Sequence, residues 1–154
     1  MRFNRKGVTK IYFLPTIAAT TLIPTTAEIT AGTDWTQHIH SIDGWGIENT
    51  PIETPDMAST FVSKIDGDDA AADSSLGFYE DSVTDDVETD LAKGTTGYVV
   101  IFSKGKTAGN KGMDVFPSKV ASNSKSYATD NEAAKINVQF VITDRPLQNG
   151  TVPS

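Results

Sequence analysis

Apolar residues along this chain fall into short runs separated by polar, glycine or proline breaks, a spacing that predicts strands more than helices. Residues 8–14 are β-branched and aromatic and stop at Pro15, which predicts a first strand. A Thr-rich stretch follows, and Glu28-Ile29-Thr30-Ala31-Gly32-Thr33-Asp34 predicts a short strand running into a glycine turn. Trp35, Ile39, Trp45 and Ile47 recur in mixed alternation, with Asp43-Gly44 marking a turn or bulge. Residues 48–56, with Pro51 and Pro55, predict an extended loop.

Two strands, residues 60–65 and 75–80, flank the acidic segment 66–73 and predict a long hairpin with an acidic tip. Residues 85–94 carry the one convincing helix pattern. Thr84 can cap it, acidic residues fill its first turn, and Gly94 stops it. Val87 and Leu91, spaced i and i+4, give it a narrow apolar stripe to lay on a sheet. Tyr98-Val99-Val100-Ile101-Phe102 is apolar throughout, as a strand buried on both faces should be. A basic, glycine-rich loop at 104–112 precedes a strand at 113–126, in which Pro117 predicts a bulge or an edge. Residues 136–142 close the pattern with near-ideal alternation: Val138, Phe140 and Ile142 point one way, and Asn137, Gln139 and Val141 the other. Residues 146–154 read as a loosely ordered tail.

Length adds that this is one domain over 1–154, since domains are most often about 100–150 residues long. Composition sharpens the β reading. Only 38% of residues are hydrophobic and 21% charged, and the remainder is rich in Thr, Ser, Ala and Gly. Without cysteine there are neither disulfides nor thiolate metal sites. The net charge of −7 argues against a nucleic-acid binder, which needs basic residues to neutralise phosphates, but not against a surface that DNA passes without sticking. Twelve of the twenty acidic residues lie within 53–90, opposed there by Lys64 alone, so charge is concentrated in one region. The basic start followed by Ile11-Tyr12-Phe13-Leu14 is not read as a signal peptide, because Pro15 and several threonines break the apolar run. No segment approaches the ~20 apolar residues of a membrane span.

Candidate chemistry is sparse. His38-x-His40 has a spacing that metals use on strands, but no third ligand is near in sequence. Gly105-Lys106-Thr107 resembles the end of a phosphate loop, yet Val100 stands where its first glycine is required. The segment from Asp66 has Ala71 and Gly77 where a calcium loop needs glycine and glutamate. No nucleophile elbow is present. The sequence therefore predicts neither an enzyme nor a cofactor.

Several segments, taken in order, resemble the phage tail tube (major tail) proteins of long-tailed phages. They are Val8-Thr9-Lys10-Ile11-Tyr12-Phe13, Ala27-Glu28-Ile29-Thr30-Ala31-Gly32-Thr33-Asp34, the Ile42-Asp43-Gly44-Trp45 turn, and Thr54-Pro55-Asp56 leading into the hairpin that ends Asp73-Ser74-Ser75-Leu76-Gly77-Phe78-Tyr79-Glu80-Asp81. Gly97 with the central strand, Val115-Phe116-Pro117-Ser118-Lys119-Val120, and the closing strand ending in Thr143-Asp144-Arg145-Pro146 complete the order. The resemblance implies an antiparallel β-sandwich or small barrel flanked by one helix. It also implies a structural subunit that forms hexameric rings stacked into a hollow tube. The implied partners are other copies of the chain, a tape-measure protein, and double-stranded DNA passing without specific binding; the implied location is the virion tail, assembled in the host cytoplasm. Asp66, Asp68, Asp69 and Asp73 are then candidate lumen or ring-to-ring residues, and Lys104, Lys106 and Lys111 a candidate basic loop that meets acids of the next ring. Two alternatives stay open: a monomeric carbohydrate- or cell-surface-binding sandwich using Trp35, Trp45 and Tyr79 as a stacking platform, and another β-rich tail component such as a terminator.

Overall fold

The computed structural model describes residues 1–153. In chain order its elements are β1 (Lys10–Leu14), α1 (Thr26–Ala31), β2 (Thr33–Asp34), β3 (Ile39–Asp43), β4 (Ile47–Asn49), β5 (Ile52–Thr54) and β6 (Ser63–Ile65). Then come β7 (Asp69–Ala71), β8 (Ser74–Tyr79), α2 (Asp86–Asp90), β9 (Thr96–Phe102), β10 (Lys111–Ser126), β11 (Lys135–Ile142) and β12 (Leu147–Thr151). The main sheet runs β2-β1-β9-β10-β11-β8-β3, with β12 also on β10, and every pairing is antiparallel. It is sandwich-like and mainly β, as the composition predicts, and it does not close into a barrel.

The apolar central strand of the sequence is β9, held between β1 and β10, with Val99, Val100 and Phe102 buried. Because β9 is covered on both faces, two cores form. One gathers Ile11, Phe13, Trp35, Trp45, Phe78 and Phe116 among others; the second packs Leu14, Ile29, Val100, Phe102, Met113 and Val152. Each fully buried side chain of this size contributes roughly 1.5–3 kcal/mol relative to exposure.

β10 is the longest strand, at 16 residues, and it serves both parts of the sheet. Its first part pairs with β12 as far as Val115; its second part pairs with β11 from Ser118. Pro117 sits at the changeover, buried and not at an edge. The Pro117 carbonyl accepts the Thr143 N–H at 2.9 Å, so its proline nitrogen faces the same side, where the two partner strands leave a gap. The missing donor is harmless there. The bulge that the sequence reading put at this proline lies between Val120 and Ser122.

Helix α1 corrects the expected strand at 28–34, of which only Thr33–Asp34 is extended. Thr25 and Glu28 form a capping box: the Thr25 hydroxyl accepts the Glu28 N–H at 3.2 Å, and the Glu28 carboxylate accepts the Thr25 N–H at 2.9 Å. The Thr25 N–H, and then the Ala18 N–H at 2.9 Å, donate to the Glu28 carboxylate and hold it below its ordinary pKa. The second helix is where the pattern puts it, although Asp85, not Thr84, occupies the cap position. Val87 and Leu91 are buried as predicted, and the Asn123 side chain donates to the carbonyls of both, at 3.1 and 2.8 Å.

Two further corrections matter for function. Residues 147–151, expected to be loose, form β12, and Val152 enters the second core. The hairpin also has different partners. β8 pairs with β3, β7 with β4, and β6 with β5, so the chain from 39 to 79 makes one long excursion, outward through β3-β4-β5 and back through β6-β7-β8. Its tip is the segment 55–62, and the acidic stretch lies along the return path.

Candidate assembly surfaces

Antiparallel pairing orders β10, β11, β8 and β3 into a four-stranded layer with strand directions alternating throughout. The layer has two bare edges. Among the described residues β3 has no strand on its outer side, and β9 leaves β10 after Lys119, so residues 121–126 of β10 lack a partner strand on that side. Unpaired edges of this kind are templates for another strand.

One face of the layer covers the first core; the other is open. Register places Lys119 opposite Val141, Gln139 opposite Ser75, and Ser75 opposite Asp43, so these residues share the open face. The face is polar and close to neutral. Lys135 on β11 is ion-paired with Glu132 at 3.3 Å. His40 packs beside Tyr79 with ring centroids 5.0 Å apart, and its imidazole occupies the space a side chain at Gly77 would need. Partial desolvation, and then the positive charge of Lys135, lower the His40 pKa.

The excursion forms an arm of different character. From residue 46 to residue 73 not one side chain is buried, and Ile52, Met57, Phe61 and Ile65 stand exposed, Phe61 at 76%. At the root, Gly44 and Trp45 take positive φ values of 83° and 66° and turn the chain out of β3. A Cβ on Gly44 would overlap the Asp73 carbonyl, so only glycine lets the two sides of the root approach. The Arg145 guanidinium bonds the Asp69 carboxylate at 2.9 Å, while Asn49 donates to its other oxygen at 2.6 Å. The Asn49 bond first, and then Arg145, lower the Asp69 pKa.

The acids singled out in the sequence therefore separate. Asp66 and Asp68 are exposed on the return path, Asp69 is tied to Arg145 and Asn49, and Asp73 lies at the root against Gly44. The candidate lysines cluster at the far end of β9. Lys104 is exposed in the turn and Lys111 starts β10 opposite Thr151. Lys106 lies over the Tyr12 ring, 4.9 Å from its centroid, with its ammonium 3.1 Å from the phenolic oxygen. The structure does not bring these lysines and acids together within one subunit. The aromatic platform is likewise not assembled: Trp35 and Trp45 are buried in the first core, and only Tyr79 is exposed. Among the described residues no cluster of three or more His, Cys, Asp or Glu could hold a metal ion. Among the described residues, too, no helix is long and apolar enough to cross a membrane.

Sequence reasoning missed the bare edges and the residues beside them, Asp43, Lys93 and Lys119. Alternation already pointed Val141 outward, but which strand ends a sheet depends on strand order, and no local pattern encodes that.

The fold is similar to chains of contractile injection systems. A chain from the baseplate of the anti-feeding prophage superposes with a TM-score of 0.63 at 10% identity, covering 96% of this chain and 97% of that one. A chain from the sheath/tube terminator of an extracellular contractile injection system gives 0.65 at 11%, covering 97% and 99%. One from the sheath-tube complex of such a system gives 0.58 at 14%, covering 93% and 89%. At these identities the likeness is one of fold. No curated protein matches the chain. The model of the family described as phage tail tube protein matches residues 1–154, the whole length. The chain thus belongs to the phage tail tube protein family, and it is a structural tail component, not an enzyme.

Proposed function

We propose that this chain is the wall subunit of a phage tail tube, joining copies of itself edge to edge into closed rings that stack around a channel. The observation that carries this reading is the pair of bare edges on one layer, β3 at one side and residues 121–126 of β10 at the other. Because the four strands alternate, a neighbour's β3 laid on that part of β10 is antiparallel. The contact is head to tail, and a head-to-tail contact whose rotation closes makes a ring with no edge left over. The ring is hexameric by family likeness. It encloses a tape-measure protein during assembly and later conducts double-stranded DNA, within a virion tail built in the host cytoplasm.

The open face of the layer is then the channel wall. A wall of amides, hydroxyls and compensated charges does not exchange counterions with a passing duplex, so it does not hold the DNA. The arm reaches the adjacent ring. Two-stranded ladders with no buried side chain are marginal in water, and contact with another copy supplies the cover they lack. Asp66 and Asp68 on the arm, and Lys104 in the β9–β10 turn with Lys111 at the start of β10, are suited by opposite charge to meet between rings.

A tube terminator, one ring deep, is the second reading, favoured by the fold's likeness to a sheath/tube terminator chain. Negative-stain electron microscopy across a concentration series separates the two. Stacked hollow tubes support the wall subunit, and rings that never stack support the terminator. Single subunits at every concentration, even when seeded with preformed tail tips, overturn both.

A further inference from the structure

The direction of edge pairing decides which residues of two copies meet, and this inference rests on the tube reading above. With β3 antiparallel to β10, the start of β3 lies toward Ser126 and its end, Asp43, arrives near Ala121 and Ser122. Just before those residues is an open concavity of about 550 Å³, lined by Lys93, Gly94, Lys119, Val120, Ala121 and Val141. Its lining combines apolar surface, with Val141 51% exposed, and two lysines, Lys93 and Lys119. Neither Lys93 nor Lys119 is in an ion pair among the described residues, whose pairs involve Lys125, Lys135 and Arg145. Asp43 and Lys119 share the open face through the chain of cross-strand pairs Asp43–Ser75–Gln139 and Val141–Lys119. Asp43 is itself exposed and in no ion pair among the described residues, and Asp73 travels with it, since the Asp73 backbone packs against Gly44.

We propose that the Lys93–Lys119 concavity is the seat for the arm root of the neighbouring copy in the ring, and that it pairs with Asp43 and Asp73 of that copy. Adjacent strands lie about 4.8 Å apart, so side chains on one face at directly opposite or diagonal positions reach each other. The pairing does two things at once. It fixes the sense and register of the edge contact, because a slipped neighbour leaves two lysines and two carboxylates facing unlike surroundings. It also cancels the charge of Lys119 on the channel wall.

The test uses the full chain and charge exchange. Lys93→Glu with Lys119→Glu should raise the concentration for half-assembly at least about tenfold, the effect of roughly 1.4 kcal/mol per contact, with an unchanged thermal melt of the free subunit. Asp43→Lys with Asp73→Lys should do the same. All four substitutions in one chain should restore assembly to near the original concentration, as read by sedimentation velocity and electron microscopy. Normal assembly of either double variant, or a quadruple variant no better than the doubles, overturns the seat and leaves the tube reading standing. An unaltered subunit that never assembles removes both together.

Discussion

The body and the arm of this subunit are built from the same chemistry with opposite outcomes. Both alternate apolar and polar residues, and both form antiparallel ladders. In the body, Phe78, Phe102, Phe116 and Val100 are wholly buried between layers. Along the arm, Ile52 and Ile65 pair just as plausibly, yet face solvent on a ladder only two strands wide, and Phe61 is exposed at the tip. The difference is the presence of a third strand and a covering layer, which the body makes for itself. Stability within a single subunit is therefore a property of the body alone. The arm carries apolar surface that only another molecule can cover.

That contrast can be broken at several points. The largest effect belongs to Phe116→Ala, which empties the space beside Trp45, whose ring centroid is 5.2 Å away. A loss of about 3–5 kcal/mol is expected in chemical denaturation of the free subunit, enough to leave little folded protein. An intermediate and local effect is expected at the arm root. Because Asn49 and Arg145 depress the Asp69 pKa, their support is complete at neutral pH, above the ordinary carboxylate range. It is lost as pH falls through the lowered native value. An NMR titration of the Asp69 carboxyl carbon should give a midpoint below that of a free aspartate, and Arg145→Ala should move it part of the way back. The smallest effect on the subunit is expected from Phe61→Ser, within about 0.5 kcal/mol of unaltered stability, as for other surface changes. If the arm is an assembly element, the same substitution should sharply reduce tube formation. A large loss of subunit stability from Phe61→Ser would show that the arm is covered by its own body after all.

How much of this was legible in the sequence follows the range of the interactions. Strands with strong alternation or continuous apolar character were legible: β1, β9 and β11 lie where the pattern puts them, and Val87 and Leu91 anchor the second helix. α1 was legible in principle, since Thr25-x-x-Glu28 is a capping-box signature, but the β-branched residues around it outweighed that signal. β12 was hidden because residues 146–154 read as a loose tail; its pairing with β10 and the burial of Val152 are tertiary effects. The arm was misjudged for a similar reason. Strands 60–65 and 75–80 looked like each other's partners, whereas β6 turns back on β5 and β8 joins β3 and β11. The candidate acids were noticed as a charge cluster, but charge alone could not distinguish Asp69, held by Arg145, from Asp73 at the root. The seat of Lys93 and Lys119 needed three-dimensional information, because 26 positions separate the lysines in sequence.

The long strand β10 has a mechanical consequence. Its first part is clamped between β9 and β12, and its second part presents a bare edge, with no break in the backbone between them. A pull along its second part is carried by covalent bonds into the most deeply packed part of the subunit, and resisted there as shear over the ladders on both sides. Pro117 sits at the midpoint of this beam without costing it a rung. The arm has no comparable anchor, since its ladders are two strands wide and no side chain from residue 46 to residue 73 is buried.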